Sequence, residues 1–84
     1  MDMRSVVGEN VRRIRQRKGL TQEQFAERSG FSQQYISSLE QGRRNPTVIT
    51  LYELANALGV SHMALVAPMG SEAVASRATK IRKR

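Results

Sequence analysis

Two adjacent glutamines, Gln33 and Gln34, stand just after a serine in the stretch GFSQQYISSLEQG, residues 30–42. Each side-chain amide offers a donor group and an acceptor in one plane. A neighbouring pair can therefore recognise a hydrogen-bonding edge without carrying charge. The chain around them is basic, with 14 Lys and Arg against 7 Asp and Glu and a net charge of +7. Other chemistry is thinly supplied. There is no cysteine, so neither a disulfide nor a thiolate nucleophile can form. His62 is the single histidine, which leaves no second imidazole for a His-based metal site. The carboxylates are scattered, with no nucleophile–base pair among them. An enzyme is therefore not expected, and neither is a cofactor or a metal. The positive balance favours a polyanionic partner, nucleic acid first and an anionic membrane second.

The elements that must position the amides follow from apolar spacing. Val7, Val11 and Ile14 lie at i, i+4 and i+7, one stripe of a helix over roughly residues 5–18, with Ser5 as cap and Gly19 as stop. Thr21-Gln22-Glu23-Gln24 is a capping box that starts a second helix, with Phe25 and Ala26 inward. Gly30 ends that helix, because glycine takes the left-handed conformation without a steric penalty. Ser32 caps a third helix whose apolar side is Tyr35, Ile36 and Leu39, and Gly42 stops it. A basic turn, Arg43-Arg44-Asn45-Pro46, leads to Thr47, which caps a fourth helix carrying Val48, Leu51, Leu54, Ala55 and Leu58. Ser61 caps a short fifth helix from His62 to Val66. No strand pattern and no internal repeat is found, so the fold class is all-α.

Residues 1–68 read as one domain and residues 69–84 as a basic tail, either disordered or a helical extension. The tail holds five basic residues and one acid. Its end, Lys80 to Arg84, is either an arm on a polyanion or a frayed terminus. A chain of this size buries only about 60% of its unfolded surface. Without disulfides, stability must come from helix packing or from association. No apolar run approaches the length of a membrane span, and the first residues lack the apolar stretch of a signal peptide. A cytoplasmic, prokaryotic protein is expected, with no membrane partner.

Two helices joined by a tight turn need a small residue at their crossing, a glycine in the turn, and apolar residues on the second helix. Gln22, Ala26, Gly30, Ile36 and Leu39 have that helix-turn-helix pattern in register. Over Val11 to Leu65 the chain resembles the DNA-binding domain of the phage repressor and Cro-like regulators, the XRE-type helix-turn-helix family. The segment IRQRKGLTQEQFAERSGFSQQYISSLEQGRRNPTVITLYELANALGVS carries the match. The resemblance implies a compact five-helix, lambda-repressor-like fold, usually a two-fold dimer on a pseudo-palindromic operator. The short controller proteins of restriction–modification systems are similar in size and share a run like Tyr35-Ile36-Ser37.

With the third helix in a major groove, its first residues meet base edges. A glutamine amide can then bond adenine N6 and N7 together, worth about 1–3 kcal/mol of discrimination. Gln33 and Gln34 are the expected base readers. Ser37 and Ser38, four positions further on each, share that face as secondary readers. Gln22, in the first turn of the second helix, is expected at a phosphate. Arg43, Arg44 and Asn45 are expected on the DNA backbone. Arg15 supports helix packing or touches phosphate, and Tyr35 either places its hydroxyl on a phosphate or packs its ring beside the second helix. The resemblance makes the fifth helix a dimer surface, with Met63, Val66 and Met69 as its candidates.

These readings converge on a homodimeric DNA-binding transcription regulator. It would repress by covering a promoter, or activate by recruiting polymerase from just upstream. No small-molecule effector site is evident. The alternative is an antitoxin or adaptor whose main partner is another protein.

Overall fold

The computed structural model describes residues 2–68. The tail over 69–84, and Met69 with it, lies outside the described residues. Five helices follow one another: α1 Met3–Arg17, α2 Gln22–Ser29, α3 Gln33–Glu40, α4 Val48–Leu58 and α5 Met63–Val66. No strand occurs among the described residues.

Most boundaries form where the side chains demand them. Thr21 accepts the Gln24 amide at 3.0 Å, and Gln24 returns its side-chain oxygen to the Thr21 amide at 2.9 Å, completing the capping box. Ser32 and Thr47 cap α3 and α4 in the same way, through the amides of Tyr35 and Thr50. Gly30 closes α2 at φ 86° and returns its N–H to the Ala26 carbonyl. Two starts differ from expectation. α1 is capped by Asp2, whose carboxylate accepts the Arg4 amide at 3.0 Å, and Ser5 is an exposed residue inside the helix. α5 begins at Met63, although Ser61 Oγ still accepts the Met63 amide.

The core gathers one stripe from every helix. Val7, Val11 and Ile14 of α1 meet Phe25 and Ala26 of α2, Ile36 and Leu39 of α3, Leu54, Ala55 and Leu58 of α4, and Leu65 of α5. Phe25, Ile36, Leu39, Leu54 and Leu65 are fully enclosed. Each such side chain contributes about 1.5–3 kcal/mol by leaving water. Val48 departs from the expected α4 stripe. It is 79% exposed, as is Ile49 at 71%. The inward stripe begins one turn later, because the first residue of α4 stands at the end of the helix.

Two features draw α1 against its neighbours. Gly8 sits so close to the end of α3 that a Cβ there would collide with the Leu39 carbonyl oxygen and lie 3.0 Å from that of Glu40. Asn10 is almost fully buried and donates its amide to the carbonyls of Leu65 at 2.9 Å and Ala67 at 2.7 Å. Its own oxygen accepts from Arg13. A buried amide of this kind ties α5 to α1 because its donors would otherwise be unsatisfied.

Candidate nucleic-acid interface

α3 is buried on one side and open on the other. Ile36 and Leu39 have no exposure, whereas Gln33 and Gln34 in the first turn are exposed. Ser37 and Ser38 are half-buried one turn further on, and Gln41, the C-cap, is exposed. At 3.6 residues per turn, 33, 37 and 41 line one edge and 34 and 38 the next. Gln41 therefore stands on the outward side, opposite Ile36 and Leu39. It was missed in the sequence, although its i+8 spacing from Gln33 was there to find.

The other end of α3 is held from within. Glu40 accepts from Arg15 Nε at 2.6 Å and Arg15 Nη2 at 3.1 Å, and from Gln22 Nε2 at 3.0 Å. Arg15 also donates to the Leu20 carbonyl at 2.7 Å. The ion-paired side chains are 10% and 4% exposed. The bidentate fork, the Gln22 bond and the Leu20 bond together join α1, the turn before α2, the first turn of α2 and the end of α3. Of the two roles open to Arg15, the structure gives it the packing role. Its guanidinium is turned into the protein, and the expectation of a phosphate contact there is corrected. Gln22 stands in the first turn of α2, half-buried, with its side-chain amide directed to Glu40. Glu40 was not singled out in the sequence, since an acid in a basic chain gives no sign of burial.

Arg43, Arg44 and Asn45 follow α3 in an exposed loop without helix. The loop starts rigidly, because the Arg43 amide bonds the Ser38 carbonyl and the Gly42 amide the Leu39 carbonyl, each at 3.0 Å. Tyr35 is half-buried. Its ring stacks on Phe31 with centroids 5.0 Å apart and planes 21° apart. The Arg44 guanidinium carbon lies 5.3 Å from the Tyr35 ring centroid on the same tyrosine. Burial pushes the Tyr35 phenol above its usual pKa, while the nearby Arg44 charge pulls the other way. The hydroxyl is therefore a neutral donor at physiological pH.

On α5, Met63 and Val66 are half-buried. On α4, Val48, Ile49 and Tyr52 are exposed at i, i+1 and i+4. The Tyr52 ring lies 6.5 Å from that of His62, which immediately precedes α5. No cluster of three or more His, Cys or acidic side chains that could hold a metal occurs among the described residues. None of the described helices is long and apolar enough to cross a membrane.

Residues 11–65 match the family model described as helix-turn-helix. The chain belongs to the helix-turn-helix family. This helix-turn-helix protein is 74% identical over 68 residues to the uncharacterized HTH-type transcriptional regulator y4dJ of Sinorhizobium fredii, covering 81% of the present chain and 88% of that protein. It is 44% identical over 70 residues to the control protein C.SmaI of Serratia marcescens, covering 83% of each. Among solved structures it is similar to the restriction–modification controller protein C.Esp1396I, a tetramer in complex with its natural 35 base-pair operator. There the TM-score is 0.71 at 34% identity, over 77% of this chain and 86% of that one. With helix-turn-helix geometry, an outward amide face and relatives of this kind, the chain is a DNA-binding transcription regulator.

Proposed function

We propose that the protein binds a pseudo-palindromic operator as a homodimer and regulates transcription by occupying it. Each α3 enters a major groove, the two grooves about 34 Å apart on one side of the duplex. Gln33 and Gln34 read base edges, with Ser37, Ser38 and Gln41 as further contacts on the same face. Arg43, Arg44 and Asn45 hold the backbone beyond the end of α3. A second phosphate meets the first-turn N–H groups of α2 at Gln22, while the Gln22 side chain keeps that turn in register with Glu40.

The reading rests on one observation: two uncharged amides are exposed at the start of a helix whose opposite face is completely buried. Copies pair through the α4–α5 side, where Val48, Ile49 and Tyr52 leave apolar surface to cover. Met63 and Val66 of α5 are the further candidates for this surface. A similar controller protein assembles as a tetramer on its operator, which supports association between copies.

Selection of bound sites from random DNA tests the reading with the wild type and with Gln33→Ala and Gln34→Ala. The wild type should return two inverted half-sites with centres about one turn apart. Each variant should lose about 1–3 kcal/mol of discrimination at one base position per half-site. Unchanged preference in both variants would remove the glutamines from base reading.

A further inference from the structure

Arg44 lies in an exposed loop, yet its guanidinium is not left to wander. It sits 5.3 Å from the Tyr35 ring, and Tyr35 is itself stacked on Phe31 at 5.0 Å. Phe31 is packed against the core. The result is a run of contacts from half-buried Phe31 through Tyr35 to a cation. We propose that Tyr35 is a positioning residue for DNA binding, acting through its ring to hold Arg44 over a backbone phosphate rather than contacting DNA with its hydroxyl.

The physical case concerns what Arg44 must give up on binding. A free arginine side chain loses rotamer entropy when it is fixed on a phosphate. A guanidinium already resting on an aromatic face has given up part of that freedom in the unbound protein. The face of a tyrosine ring attracts a cation through its quadrupole. The contact leaves the edge N–H groups of the guanidinium available, and those are the donors a phosphate accepts from. Tyr35 thus contacts both Arg44 and Phe31 through its ring while the chain is free.

The proposal rests on the reading of Arg44 as a phosphate contact, and the test separates the two. Binding to the selected operator is measured over a range of salt for Arg44→Ala, Tyr35→Leu, Tyr35→Phe and the double variant Tyr35→Leu/Arg44→Ala. Arg44→Ala should weaken all sequences alike and make the salt dependence shallower by about one per bound protomer. Tyr35→Leu should weaken binding about two- to fivefold per protomer, the equivalent of about 0.5–1 kcal/mol at tenfold per 1.4 kcal/mol. Tyr35→Phe keeps the ring and should bind as the wild type does. In the Arg44→Ala background, Tyr35→Leu should cost nothing more. If Tyr35→Phe is as weak as Tyr35→Leu, or if the two losses simply multiply, the positioning role is overturned while the Arg44 contact stands. If Arg44→Ala changes neither affinity nor salt slope, the phosphate reading of Arg44 falls and the proposal falls with it. A measurement on the free protein keeps the test sound should Tyr35→Leu fold poorly. The Arg44 side-chain protons should show upfield ring-current shifts in the wild type and in Tyr35→Phe, and their absence would overturn the stack.

Discussion

The two ends of α3 are built in opposite ways. At its start, Gln33 and Gln34 are exposed just after the Ser32 cap. At its end, Glu40 is enclosed by two bonds from Arg15 and one from Gln22, and Gly8 of α1 presses against the last carbonyls. A helix that must read a surface needs freedom of side chains at one end and none of backbone at the other. If the buried end moved, the exposed end would swing with it and meet bases out of register. If Gln33 and Gln34 read bases as proposed, their specificity depends on the buried side chains of Arg15 and Glu40 as well.

The sharpest way to break this contrast is Glu40→Ala. It removes the acceptor of three bonds and leaves the buried Arg15 charge without a carboxylate. Breaking a buried pair from one side costs about 3–5 kcal/mol, a large part of the stability of a small domain. The melting temperature should fall by at least about 12 °C. Replacing both members with apolar residues, Arg15→Met with Glu40→Leu, should recover most of the loss, because a buried pair is seldom better than a well-packed apolar one. The double variant should nevertheless bind its operator less selectively than the wild type, since the fork that fixes the direction of α3 is gone. A single variant that melts within about 2 °C of the wild type would mean that the anchored end is not anchored by charge.

Gly8→Ala probes the same end with a smaller effect. In an open helix the change would stabilise by about 0.5–1 kcal/mol, because glycine is costly in a helix interior. Here the new methyl meets backbone, not a flexible side chain. α1 and α3 must part, at about 1–3 kcal/mol. The net expectation is destabilisation with weaker operator binding, read by thermal melting and by titration with DNA. A rise in melting temperature would show the helices to be further apart than the packing requires.

The contrast also explains which parts of the molecule could be read from the sequence. Caps and stops are local: Thr21, Ser32 and Thr47 act on amides three residues away, and Gly30 acts on its own backbone. Those positions were legible because cause and effect lie within one turn. The core stripes of α1, α2 and α3 were legible from period alone. The anchor was not. Glu40 meets partners 18 and 25 residues away, and Asn10 meets carbonyls 55 and 57 residues away. Nothing in the local pattern points Arg15 to Glu40, 25 residues away, so packing and phosphate contact both stood open for it. Val48 failed for the opposite reason. Helical spacing placed it in the stripe, but spacing does not say where the neighbouring helix ends. The exposed amides were legible because a surface function asks little of the rest of the chain.

The smallest effect belongs to Gln41, at the boundary between the two regimes. Its backbone N–H closes α3 on the carbonyls of Ser37 and Ser38, and any residue but proline can do that. Its side chain points outward two turns beyond Gln33. Gln41→Ala should therefore leave stability within about 0.5 kcal/mol of the wild type, as surface changes usually do. If the open face of α3 extends to its last turn, the same change should alter preference at one base position without touching the positions read by Gln33 and Gln34. Should selection return an identical site, reading is confined to the first turns of α3, and the boundary between the exposed and the anchored end lies before Gln41. A melting shift without a change in site would instead assign Gln41 to the anchor, beside Glu40.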